Sequence, residues 1–198
     1  MEKLNIHLEE YDIAFFLVAK CASSSIKAAI KQLYGEPSGP DDILTGFNNI
    51  TACEARDRDV KHRIAIVRNP WDRIVSAYYQ KILSSGKSSL VNQKGIYKGM
   101  PFDEFVSAVY KLPITRENHI RNQTMYMFCE SDFVPNWVIR LEDLEEEWRI
   151  IQAIAPLTDL GYRNQTEHPH YRDLYTDETR ALIGKRYQRD IAILGYEF

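Results

Sequence analysis

The chain has 198 residues, 44% of them hydrophobic, which is enough for one compact domain with a full core and no need of staples. Its 25 Lys and Arg face 28 Asp and Glu, a formal charge of −3, so no bulk field draws in nucleic acid or an anionic membrane, and any anion site must be local. The longest apolar run, Ile13 to Ala19, falls well short of the roughly 20 residues of a spanning helix, and no basic leader precedes it.

A single domain over residues 1–198, in the cytoplasm, is therefore expected. The cysteines, Cys21, Cys53 and Cys129, are odd in number and share no metal-ligand spacing, so they are expected reduced rather than paired. The N-x-S/T sequons at Asn49, Asn122 and Asn164 read as chance.

In chain order, Ile13 to Ala19 is a short run of aromatic and branched residues and predicts a strand buried on both faces. Ser24 or Ser25 then caps a helix with Ile26, Ala29, Ile30 and Leu33 at helical spacing, stopping at Gly35. Glu36 to Asp42 reads as a loop. A second buried strand, Ile64 to Val67, leads into Arg68; Asn69 caps and Pro70 opens a helix whose core face is Trp71, Ile74, Val75, Tyr78 and Ile82. Ser84 to Gly99 reads as a surface loop, either mobile and near a substrate or simply solvated. Helices are expected over Phe102 to Leu112 and Glu117 to Phe128, a strand over Trp137 to Arg140, and a helix over Glu142 to Ala155 with Leu144, Trp148 and Ile151 inward. A last helix, capped by Thr176, runs to Leu194 with Gly195 as its stop. This alternation predicts an α/β sandwich on a mostly parallel sheet, with ligands beyond the carboxyl ends of its strands.

Those ends carry anion-binding chemistry. Lys20-Cys21-Ala22-Ser23-Ser24-Ser25 joins a strand to a helix start, where backbone N–H groups and the positive helix end favour a phosphate, with Lys27 one turn on. The loop has no glycine, and no Asp ends the second strand to hold Mg²⁺, which speaks against metal-dependent phosphoryl transfer. Arg68 with Ser76 makes a second anion site, and two such sites suit a nucleotide with phosphates at both ends of its ribose.

The pairing of VAKCASSSIKAAI (Val18 to Ile30) with IAIVRNPWDRIVSAYY (Ile64 to Tyr79) resembles the sulfotransferases that use 3′-phosphoadenosine 5′-phosphosulfate (PAPS), nearest the carbohydrate sulfotransferase branch. The likeness continues through Asn118-His119, Ile139 to Leu144 and Tyr187 to Tyr196. It implies a three-layer α/β sandwich related to P-loop nucleotide hydrolases, metal-free transfer from PAPS to a hydroxyl, and a small-molecule or glycan acceptor. It further implies that Lys20 and Ser23 to Ser25 form the 5′-phosphosulfate loop and that Arg68 and Ser76 hold the 3′-phosphate.

Lys20 is expected to stabilise the leaving group, and a base must take the acceptor proton. Asn49 stands where several bacterial relatives resemble one another in having a histidine, ahead of Thr51-Ala52-Cys53-Glu54-Ala55-Arg56. His62 precedes the second strand and His7 the first, which puts both at the wrong end of the sheet. Of the remaining candidates, Glu54, His119, His168 and His170, His119 ranks first because it matches the Asn/His pair of the branch. His168-Pro169-His170 is no metal site, because no carboxylate or cysteine shares a usable spacing with it. Two alternatives are a catalytically impaired binder of PAPS or its bisphosphate product, and a degenerate P-loop phosphotransferase.

Overall fold

A computed structural model describes residues 5–35, 48–161 and 168–198. The chain forms two compact units, Met1–Val67 with Met125–Gln165, and Arg68–Thr124 with Thr166–Phe198. The loop expected over Glu36 to Asp42 and the sequon at Asn164 lie outside the described residues.

The first unit is built on a five-stranded sheet. Its strands are β1 (Asn5–Leu8), β2 (Ile13–Phe16), β3 (Asn49–Ile50), β4 (His62–Val67) and β7 (Trp137–Arg140), in the order β3-β1-β2-β4-β7. β2, β4 and β7 pair in parallel, with Phe16 opposite Ala65 and Val67 opposite Arg140. β1 is antiparallel to both β2 and β3, so it alone runs against the common direction. The expected strands at 13, 64 and 137 are present: Ile13 to Phe16 and Ile64 to Val67 are buried throughout and pack on both faces, whereas of β7 only Ile139 is buried. β1 went unforeseen although Asn5-Ile6-His7-Leu8 alternates polar and apolar with the period of a strand; at four residues the run is at the short limit of that signal. His7 consequently lies within the first strand, not ahead of it.

Helix α1 (Ser23–Leu33) puts Ile26, Ala29 and Ile30 into the core, and α5 (Leu144–Ile154) does the same with Leu144, Trp148 and Ile151. The Trp148 ring lies 6.1 Å from that of Phe15, which joins helix to sheet. Short α2 (Ala52–Asp57) is closed by a capping box in which Thr51 and Glu54 exchange side-chain and backbone hydrogen bonds. A two-stranded hairpin, β5 (Phe128–Cys129) and β6 (Asp132–Phe133), completes the unit.

One expectation about this unit is corrected. Cys53 of α2 and Cys129 of β5 form a disulfide, with Cα atoms 4.8 Å apart across 76 residues of sequence; Cys21 stays outside it and is buried. Nothing local signals a partnership between residues so far apart, and only the docking of α2 on the hairpin creates it.

The second unit is helical: α3 (Pro70–Tyr78) continuing into a π-helical turn (Tyr79–Leu83), α4 (Phe102–Lys111), α6 (Asp177–Arg186) and α7 (Gln188–Leu194). Its core gathers Trp71, Ile74, Tyr78, Ile82, Phe105, Val109, Ile183 and Tyr187. Asn69 caps α3 by accepting from the Trp71 N–H, and Pro70 takes the first turn, as expected. The segment Ser84 to Gly99 is pinned rather than loose. Leu90 and Ile96 are buried, and Gly99 N–H donates to Ile82 O.

Residues 117–128 form no α-helix, contrary to their hydrophobic pattern. Their carbonyls are taken instead by side chains: the buried Arg73 guanidinium donates to Asn118 O and Arg121 O, and the Tyr187 hydroxyl to Ile120 O. Fully buried Asp190 accepts from the N–H groups of Gln123 and Thr124 and from the Thr124 hydroxyl. Tertiary hydrogen bonds thus replace the helical ladder. The last helix is likewise divided at Tyr187 (φ −105°, ψ 23°) into α6 and α7, where the buried tyrosine turns to reach Ile120.

Closing a long loop should stabilise the first unit measurably. The double variant Cys53→Ser/Cys129→Ser is expected to lose about 2 to 4 kcal/mol in urea unfolding. Equal stability of the variant and the oxidised protein would show that the disulfide does not constrain the fold.

Candidate functional site

The segment after β2 is unusual in its backbone. Lys20 (φ 72°) and Ala22 (φ 55°) are both left-handed although neither is glycine. L-residues with a Cβ avoid this region at a cost of about 1 to 2 kcal/mol each, and such strain gathers where backbone amides must be aimed at something. Alternating handedness turns successive N–H groups inward into an anion-binding concavity. Ala22, not Ser24 or Ser25, is the N-cap of α1, and among the described residues no side chain caps this helix end. The first-turn amides of α1 therefore keep their positive potential for a ligand.

The serines divide by role. Ser25 is buried and its hydroxyl donates to Gly161 O at 2.8 Å, so it ties α1 to the end of the described segment rather than offering its proton to a ligand. Ser23 and Ser24 are half-buried, as are Lys20, Ala22 and Lys27. Cys21 is buried, its N–H donating to Val18 O, so its thiol faces the interior and is no exposed nucleophile.

In the second unit, Arg68 follows the last residue of β4. The Gln123 side chain clamps its backbone from both sides: Arg68 N–H donates to Oε1 at 3.0 Å, and Nε2 donates to Arg68 O at 2.8 Å. Gln123 is wholly buried and its own N–H is held by Asp190, so the position of Arg68 is anchored two layers deep. The guanidinium donates through Nε to Asp72 Oδ2 at 2.7 Å and lies 3.4 Å from His168 Nε2. His168 Nδ1 sits 2.8 Å from Pro169 O, an acceptor only, which gives Nδ1 the proton and leaves Nε2 to accept from Arg68. Ser76 is buried one turn beyond Asp72 on α3. Asp72, an i,i+4 partner of Arg68, was the legible signal that this arginine is fixed by a carboxylate.

The candidate bases separate clearly. Glu54 spends its carboxylate on the capping box, accepting from Thr51 N–H at 2.7 Å. His170 is exposed and rests on the Tyr171 ring. His62 starts β4, opposite Ile13 at the amino ends of the strands. His7 has both ring nitrogens buried without a hydrogen-bond partner among the described residues, and burial lowers its pKa. Asn49 is a β3 residue opposite Ile6.

His119 differs from all of these. Its Nδ1 lies 2.6 Å from Glu117 Oε1, and its backbone N–H donates to Glu117 Oε2 at 2.7 Å. The Ser89 hydroxyl also donates to Oε1, at 2.6 Å. Burial pushes the Glu117 carboxyl up, but the hydrogen bonds and charge of His119 and the Ser89 hydroxyl outweigh it and hold the group below its ordinary value. Among the described residues no group of three or more His, Cys, Asp and Glu side chains is arranged to hold a metal ion, and no helix is long and apolar enough to cross a membrane.

No curated protein and no solved structure matches the chain significantly. The family model of the sulfotransferase family matches residues 6–197 and so runs through both units.

The depressed Glu117 carboxyl makes a pH prediction. Its contribution to stability is full above the ordinary carboxylate value of about 4.3 and is lost as pH falls through its lower folded value. Urea unfolding between pH 7 and pH 3 should therefore show a steeper acid loss in the native protein than in Glu117→Gln. Identical slopes would mean that the carboxylate is not preferentially held in its charged form.

Proposed function

The chain belongs to the sulfotransferase family, in the branch of the carbohydrate sulfotransferases, and from that premise we propose that it transfers a sulfuryl group from PAPS to a hydroxyl of a carbohydrate by direct in-line displacement. The observation that carries this reading is the left-handed backbone at Lys20 and Ala22 ahead of an uncapped α1. A glycine-free loop accepts that strain where an anion repays it.

In this reading the amides and side chains of residues 20 to 25, with Lys27, receive the 5′-phosphosulfate, and Arg68 with Ser76 receives the 3′-phosphate. Asp72 holds the arginine fork in a fixed orientation, and His168 accepts from its other side. The acceptor oxygen forms a bond to sulfur as the bond from sulfur to the bridging phosphate oxygen breaks. Charge then grows on the departing phosphate, where the Lys20 ammonium and the α1 amides stabilise it. The acceptor proton passes to Nε2 of His119. The base sits at 119, so Asn49 does not imply lost catalysis. The Cys53–Cys129 disulfide favours an oxidising compartment over the cytoplasmic placement that composition suggested.

Steady-state transfer assays over a panel of hydroxylated acceptors test these roles. Lys20→Ala and His119→Asn should each lower kcat by roughly 100-fold or more with little change in the KM for PAPS, whereas Arg68→Ala should chiefly raise that KM. Equal effects of all three on donor KM would sink the division of roles. Tight binding of the bisphosphate product with no turnover on any acceptor would favour the binding-only alternative.

A further inference from the structure

The contact between Glu117 and His119 does more than close a turn. A carboxylate serving only the backbone needs one N–H, and Oε2 has that in the amide of His119. Oε1 receives two further donors, the ring Nδ1 of the same histidine and the Ser89 hydroxyl, both at 2.6 Å. Ring and backbone of His119 are thus gripped by opposite oxygens of one carboxylate. The carboxylate is buried, with side-chain exposure of 8% against 23% for the histidine. An ionised carboxylate has no proton to give, so Nδ1 must be the donor and Nε2 must carry the lone pair in the neutral ring. Among the described residues Nε2 has no hydrogen-bond partner.

We propose that Glu117 is the positioning residue for His119, holding the ring as the Nδ1–H tautomer so that Nε2 is the proton acceptor, with Ser89 fixing the carboxylate from the pinned segment 84–99. This inference rests on the reading of His119 as the base. An imidazole in the wrong tautomer presents N–H where a lone pair is required, a loss that holds wherever histidine acts as base. Ser89 adds a link of its own: because it shares Oε1 with the ring, the anchoring of Leu90 and Ile96 in the core also bears on the orientation of the base.

The test combines a spectrum with kinetics. In the full chain labelled with ¹⁵N-histidine, ring correlation spectra at neutral pH, assigned by the loss of signals in His119→Asn, should show Nδ1–H and an unprotonated Nε2. In Glu117→Gln the single tautomer should give way to a mixture. Kinetically, kcat in Glu117→Gln should fall at least about tenfold with KM for PAPS within about twofold, and Ser89→Ala should show a smaller loss in the same direction. An Nε2–H tautomer of His119 in the unmodified protein overturns the inference without needing Glu117→Gln to fold. So does a folded Glu117→Gln with unchanged kcat while His119→Asn is inactive. The reading of function is judged separately: it fails if the unmodified protein turns over no acceptor, and the tautomer is still read from the spectrum.

Discussion

The candidate site of the first unit depends on one backbone constraint, the left-handed conformation of Lys20 and Ala22 between β2 and α1. It is maintained from below by a strand with no exposed residue and from the side by Ser25, whose hydroxyl is bound to Gly161 O. With the helix start left to its own amides, the geometry concentrates positive potential at a point where the side chain of Lys20 adds a full charge. The residues around it then have a single task, to keep the strained turn from relaxing. Leu17, Val18 and Cys21 do this by burial, which makes Cys21 a packing residue despite its place in a reactive-looking loop.

The second unit solves a related problem by different means. Here a flexible arginine must be presented in one orientation, and hydrogen bonds rather than strain accomplish it. Asp190 holds Gln123, Gln123 holds the backbone of Arg68, and Asp72 with His168 holds its guanidinium. The buried Asp190 is affordable because it accepts three hydrogen bonds and leaves no unsatisfied charge-bearing oxygen. The same logic recurs at His119, where a buried carboxylate orients a more exposed ring.

Much of this was legible in the sequence where the signal is local. Buried runs marked β2 and β4; the short run Trp137 to Arg140 ahead of a helix marked β7; Asn69 with Pro70 marked the start of α3; Thr176 and Gly195 marked the start of α6 and the end of α7. What escaped depends on partners distant in the chain. The pattern over 117–128 suits a helix, and only Arg73, Tyr187 and Asp190 show why its backbone bonds elsewhere. Cys53 and Cys129 carry no spacing that pairs them. Of the candidate residues, Lys20, Arg68 and His119 were marked by strand ends and by likeness, whereas Asp72, Gln123 and Glu117 were not, because each contacts and orients another residue. Glu117 stood two positions from His119, and a nearby carboxylate was the signal available.

Calorimetric titration with 3′,5′-adenosine bisphosphate in a metal chelator, beside ADP with Mg²⁺, decides whether the chain holds the nucleotide of a PAPS-dependent enzyme. Micromolar binding of the bisphosphate without metal, with little or none of ADP, is the expected result. A preference for ADP with Mg²⁺, or no binding of the bisphosphate, would contradict it.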